Sequence, residues 1–163
     1  SAAGPPQGAK APQGASEVHA VTSVGACVVL DTNIVLDAFV FSDAAALPLR
    51  AGLEGGSLRW IATPDMRIEL ARVLGYPQIV PRLAFYGLQA DDVLAAFDRH
   101  AQRVDAAPKA PVTCADPDDQ IFIDLAVRHR CALLSKDRAV LRMRKRLAAL
   151  GVHAGIALAH QPA

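Results

Sequence analysis

Cys27-Val28-Val29-Leu30-Asp31-Thr32-Asn33-Ile34-Val35-Leu36 reads as a strand, a turn and the start of a helix. The first four residues are apolar and include two β-branched side chains, which predicts a short buried strand. Asp31-Thr32-Asn33 interrupts the run, and Ile34, Val35, Leu36, Phe39 and Val40 then return at helical spacing. A carboxylate at the end of an apolar strand is costly to bury unless something neutralises it. The stretch that sets the fold therefore also raises a question of chemistry.

The alternation continues outward. Pro48 predicts the opening of a further helix closed at Gly55-Gly56, and Leu58-Arg59-Trp60-Ile61-Ala62 predicts a second strand. Thr63-Pro64 places an N-cap before a proline at the first helical position, for a helix to about Leu74. Pro77 and Pro81 mark a break and a short helix, and Gln89 to Val104 carries Val93, Leu94 and Phe97 on one face of another. Residues 106–115 read as a loop, and Asp116-Pro117 starts a helix holding Ile121, Phe122, Leu125, Ala126 and His129. Ala132-Leu133-Leu134-Ser135 is a strand, Asp137 follows it, a helix runs from about Ala139 to Leu150 and ends at Gly151, and residues 152–159 supply the last strand. Strands alternating with helices imply an α/β fold with a parallel sheet covered on both faces. In that architecture ligands gather beyond the carboxyl ends of strands, where Asp31 and Asp137 fall.

The 163 residues suit one domain, and with 52% hydrophobic but only 5% aromatic residues the core is expected to be mainly aliphatic. Residues 1–25 form an Ala/Gly/Pro-rich tail too poor in large apolar groups to offset its ordering entropy, leaving 26–160 as the folded domain. The net charge of +1 says little, but eight of the 17 Lys and Arg residues fall between Arg128 and Arg146. Such a cluster suits either a polyanion such as RNA or a solvated helix face. Cys27, Cys114 and Cys131 show no CxxC spacing and read as reduced core thiols. Neither a membrane span nor a secretory leader is evident, and the expected location is cytoplasmic.

Four carboxylates, Asp31, Glu69, Asp119 and Asp137, stand at ends of apolar runs or on inner helix positions. A shared divalent cation would make such a set tolerable. Each also has an ordinary reading. Asp31 and Asn33 are good turn caps, and Glu69 has Arg72 three residues on as an intrahelical partner. In Asp116-Pro117-Asp118-Asp119 the helix dipole accommodates one or two acids, with Asp116 the natural N-cap and Asp119 the one expected to face a cleft. Asp124 is either near the site or on the surface. Lys136 is a neutralising neighbour of Asp137, although neighbours on an extended segment point apart. Ser135 offers a hydroxyl near the acids.

Together, Val28-Val29-Leu30-Asp31-Thr32-Asn33, Thr63-Pro64 with Glu69-Leu70-Ala71-Arg72-Val73-Leu74, Asp116-Pro117-Asp118-Asp119 and Leu133-Leu134-Ser135-Lys136-Asp137 resemble the PIN-domain family. The likeness is closest to its bacterial, VapC-like members described as toxins of toxin–antitoxin pairs, and covers about residues 26–156. The resemblance implies a three-layer α/β/α fold and an endoribonuclease dependent on Mg²⁺ or Mn²⁺. It carries the acidic site onto Asp31, Glu69, Asp119 and Asp137, with Asp116 as rival to Asp119, and with Asn33 and Ser135 at positions commonly polar near the metal. It also implies an RNA substrate, a homodimer and an antitoxin partner.

Oxygen ligands suit Mg²⁺ and Mn²⁺, and no clustered Cys and His set for zinc is present. Metal-assisted attack of water on a phosphodiester would need no side-chain nucleophile, with Lys136 or Arg138 positioning the backbone. Two competing readings are a phosphatase of the haloacid dehalogenase type and a non-catalytic module that docks RNA or protein. The phosphatase chemistry wants a second aspartate where this chain has Asn33.

Overall fold

The computed structural model describes residues 26–158. Five strands form one all-parallel sheet in the order β3-β2-β1-β4-β5: β1 (Ala26–Leu30), β2 (Leu58–Ala62), β3 (Ala101–Arg103), β4 (Ala132–Leu134) and β5 (Ala154–Gly155). Helices α1 (Thr32–Phe39) and α2 (Leu47–Gly55) connect β1 to β2. Helices α3 (Pro64–Leu74), α4 (Val80–Phe85) and α5 (Ala90–His100) connect β2 to β3. Helix α6 (Gln120–His129) precedes β4, and α7 (Arg138–Leu141) and α8 (Arg144–Ala149) lead to β5.

The chain winds from β1 through β2 to β3 in one direction, then crosses back and continues through β4 to β5 in the other. Parallel crossovers are right-handed, so this reversal puts α1–α5 on one face and α6–α8 on the other. The result is the expected three-layer α/β/α fold. The reversal lies between β1 and β4, and a crevice opens there beyond their carboxyl ends.

β1 is central and dry, with Val28, Val29 and Leu30 all buried. Trp60 of β2 packs between Phe39 of α1, with ring centroids 6.1 Å apart, and Phe97 of α5, at 5.0 Å edge-on. Three of the four buried aromatics thus meet on this face, and the fourth, Phe122 of α6, lies in the layer opposite.

Several boundaries differ from expectation. The helix expected to reach Val104 stops at His100, and Ala101–Arg103 becomes strand β3, whose backbone pairs with Trp60–Ala62. With only three residues and two of them exposed, this edge strand has no alternating apolar signature. The helix expected from Ala139 to Leu150 is two short helices broken at Arg142-Met143, with Met143 buried. The last strand is Ala154–Gly155 alone. The tail expected over 1–25, and residues 159–163, lie outside the described residues. Among the described residues no helix is long and apolar enough to cross a membrane.

The expectation of three reduced thiols is corrected, because Cys27 and Cys131 form a disulfide. Parallel register sets Val28 opposite Ala132, which brings the preceding residues side by side with Cα atoms 4.9 Å apart. Such pairing across 104 residues leaves no mark in local spacing. Cys114 is the free cysteine. Thiol titration under denaturing conditions should find one reactive thiol before reduction and three after. Cys27→Ser should lower stability by about 5 kcal/mol, the chain-entropy value for a loop of roughly 100 residues.

Candidate active site

Asp31 leaves β1 at the crevice. Its backbone N–H donates to the Leu134 carbonyl at 2.9 Å, which ties the end of β1 to the end of β4. Asp31 occupies the N-cap position of α1, yet its side chain makes no capping hydrogen bond. Its Oδ2 instead accepts the Ser135 hydroxyl at 2.6 Å. Burial raises the Asp31 pKa above its ordinary value, against the Ser135 hydrogen bond and the backbone N–H groups of Thr32 and Asn33; nearby Asp137 adds to the rise.

Asp119 repeats the pattern. The sequence Asp116-Pro117 opens a 3₁₀ turn, Pro117–Asp119, before α6 begins at Gln120. Asp116 caps this turn by accepting the Asp118 N–H at 3.0 Å. Asp119 is the N-cap residue of α6 but caps nothing, and its Oδ2 is buried without a hydrogen-bond partner. Its pKa is pushed up to about 8, first by burial, then by the side chain of Asp137 and the charges of Asp31, Asp137 and Asp116.

Asp137 follows β4 by three residues. Its Oδ1 accepts the Ala139 N–H at 2.8 Å as the cap of α7, and its own N–H donates to Ser135 Oγ at 3.0 Å. The fully buried Ser135 thus links the acids at the ends of β1 and β4. Asp31, Asp119 and Asp137 each place a carboxylate oxygen within 4.8 Å of the other two. No Lys or Arg forms an ion pair with any of them among the described residues. Three helix N-termini, those of α1, α6 and α7, meet at this cluster and offset part of its charge.

Glu69 on α3 lies outside this trio of close oxygens. It sits half-buried at the margin beside the Thr32 side chain, and its pKa is raised by burial first, then by Asp31. The Arg72 charge acts the other way, but no Glu69–Arg72 ion pair forms. Asp116 is occupied as a cap, Asp118 is exposed, and Asn33 is exposed at the mouth of the crevice. Asp124 neither joins the acids nor faces solvent freely: it accepts the Ala110 N–H at 2.8 Å and the Gln120 side chain at 2.7 Å, anchoring the loop before α6.

Lys136 pairs with Asp37 at 2.6 Å rather than with Asp137. Asp37, buried in α1, is missing from the acids singled out above. The signal was present, since Asp37 interrupts an apolar helix as Asp31 ends an apolar strand. Its cation lies 99 residues away in sequence and gives no local hint.

The donor set is all oxygen, and it includes a buried carboxylate oxygen with no partner in the chain. It fits a hard divalent cation such as Mg²⁺ or Mn²⁺. The sequence profile of the PIN domain matches residues 27–139, more than half of the chain. The chain belongs to the PIN-domain family. Among solved structures, VapBC2 from Rickettsia felis bound to a DNA fragment from their promoter is similar at a TM-score of 0.52 and 12% identity, covering 78% of this chain and 98% of that one. At that identity the likeness speaks for the fold. No curated protein matches the chain.

In the ion-free protein, Asp31, Glu69 and Asp119 all hold a proton more tightly folded than unfolded. Their contribution to stability is full below the ordinary carboxylate pKa and is lost as pH rises, for Asp119 through about 8. In chelator, the melting temperature should therefore fall between pH 4 and pH 8 on account of this cluster. Asp119→Asn should flatten that fall and raise stability at pH 8 by about 1–3 kcal/mol, the usual cost of an unsatisfied buried polar group. A wild-type melting temperature that the substitution leaves unchanged at both pH values would contradict this.

Proposed function

We propose that this PIN-domain protein is an endoribonuclease dependent on Mg²⁺ or Mn²⁺, and the toxin component of a toxin–antitoxin pair. The observation that carries the nuclease reading is the uncapped, unpaired Asp119 oxygen facing two further carboxylates in the crevice between β1 and β4. Asp31, Asp119 and Asp137 would hold the ion. When bound, it would supply Lewis-acid charge at the phosphoryl group and a nucleophile usable at neutral pH.

The chain's own residues do the rest. Ser135 fixes the rotamer of Asp31 by donating its hydroxyl proton, and the Ala139 N–H fixes Asp137. Glu69 adds negative charge at the edge of the trio, beside Thr32, where a half-buried carboxylate with a raised pKa can accept a proton from an attacking water. Asn33 lies at the mouth of the same crevice and is free to hydrogen-bond substrate. Arg138 is exposed next to Asp137 and is available to a phosphate, whereas Lys136 is already engaged with Asp37.

Family membership supports RNA as substrate, and the likeness to VapBC2, a toxin–antitoxin complex, supports an antitoxin partner for this chain. Cleavage of mixed RNAs with Mg²⁺ or Mn²⁺ tests the reading. Asp31→Asn and Asp119→Asn should each reduce the rate about 10²- to 10³-fold, the effect of losing several kcal/mol of transition-state stabilisation. Asp116→Asn should stay within about threefold of wild type, since that carboxylate caps a turn. Wild-type protein that hydrolyses a small phosphomonoester but no RNA would overturn the reading.

A further inference from the structure

Beside the acidic crevice lies a second cavity of about 490 Å³, and it includes Asn33, Phe41, Ile79, Arg82 and Lys136 in its lining. Two of these connect it to the acids: Asn33 is two residues past Asp31, and Lys136 immediately precedes Asp137. Of its two carboxylates one has a cationic partner and the other lies exposed at the rim. Asp37 is paired with Lys136, and Asp43 caps the Ala45 N–H at 3.1 Å. Arg82 is exposed and forms no ion pair among the described residues.

The guanidinium of Arg82 lies 3.6 Å from the centre of the Phe41 ring. Stacking of this kind restrains a long side chain that would otherwise lose rotamer entropy on binding, and leaves its N–H donors free. Tyr86 leans on the same Phe41 ring with centroids 6.2 Å apart, and Phe85 meets Tyr86 edge-on at 5.0 Å. Phe85 is 81% exposed and Tyr86 beside it 43%, so the two rings form a contiguous patch rather than a single exposed side chain. An unpaired cation held on an aromatic ring, followed by two exposed aromatics, is the chemistry that binds a single-stranded nucleotide. The cation meets phosphate and the rings stack on a base. A duplex keeps its bases stacked inside and cannot use the rings.

We propose that Arg82, held on Phe41, forms with Tyr86 and Phe85 a subsite for an unpaired nucleotide flanking the phosphate in the acidic crevice. The inference rests on the nuclease reading for the identity of that phosphate. Arg82 takes the neighbouring phosphate, and Tyr86 and Phe85 take the base. The site thereby selects single-stranded over double-stranded RNA.

Fluorescence anisotropy with a labelled single-stranded RNA 12-mer, and with its duplex, tests this in the full chain carrying Asp119→Asn to block cleavage. Arg82→Gln and Tyr86→Ala should each weaken single-strand binding about tenfold or more; Tyr86→Ala should leave duplex binding unchanged, and Arg82→Gln should weaken it by less than it weakens single-strand binding. Arg82→Lys, which keeps charge but loses the planar stack, should fall between. In the otherwise wild-type chain the Mn²⁺-induced rise in melting temperature should be the same with and without Arg82→Gln, so that a loss of fold or of the acidic site is not mistaken for loss of the subsite. Single-strand binding that depends on Arg82 and Tyr86 in a protein that cleaves no RNA would sustain the subsite and remove the nuclease reading. Cleavage that requires Asp119 but is indifferent to Arg82 and Tyr86 would do the reverse. Phe85→Ala shifting the oligomeric state on size exclusion while RNA binding is unchanged would assign these aromatics to a protein interface and overturn the proposal.

Discussion

The hydrogen bond from the Ser135 hydroxyl to Asp31 Oδ2 stands at the one place where the winding of the sheet reverses. The neighbouring backbone bond from the Asp31 N–H to the Leu134 carbonyl locks the ends of β1 and β4 together. Ser135 Oγ also receives the Asp137 N–H, so a single hydroxyl sets the position of two acids that belong to different strands. Asp119 reaches the same point from the opposite layer, carried by the turn that opens α6. Without the reversal there would be no crevice, and without the Ser135 hydroxyl the Asp31 side chain would lose the one side-chain bond that orients it toward Asp137.

Bringing three carboxylates this close is unfavourable in itself, and the chain only partly relieves it. The N-termini of α1, α6 and α7 point their partial positive charge at the cluster, an effect worth about 0.3–1 kcal/mol for each helix at an exposed site. Burial first, and then mutual repulsion, outweigh that help, which is why the Asp119 carboxyl is pushed up to about 8. The capping pattern shows which acids bear the cost. Asp43, Asp116 and Asp137 each accept the N–H two residues on, whereas Asp31 Oδ2 accepts the Ser135 hydroxyl and Asp119 Oδ2, in the turn that Asp116 already caps, has no partner.

Much of this was legible in the sequence because it is local. The apolar run Cys27–Leu30 and its break at Asp31 gave the central strand and its carboxyl end, and Thr63-Pro64 marked the start of α3. The preference for Asp119 over Asp116 within one acidic turn followed from cap logic, and Asp119 is the one found beside Asp31 and Asp137. What stayed hidden depends on distant parts of the chain. β3 forms only because β2 offers its edge, the Cys27–Cys131 bond depends on strand register, and Lys136 meets Asp37 rather than its sequence neighbour. Glu69 is the instructive intermediate case. Its place on an inner helix position was readable, but whether it reached the other acids depended on how α3 sits against α1, and it stops at the margin beside Thr32.

Calorimetric titration of Mn²⁺ into the protein at pH 7, repeated in two buffers of different ionisation enthalpy, tests the central claim most directly. If the acids share a cation, binding must displace the proton that the crowded, buried carboxylates retain. The account predicts release of about one proton per ion bound, with binding weakened at least about tenfold in Asp119→Asn, the lower end of what a supporting metal-site residue is worth. Binding that is equal in wild type and Asp119→Asn, or that releases no proton, would contradict it.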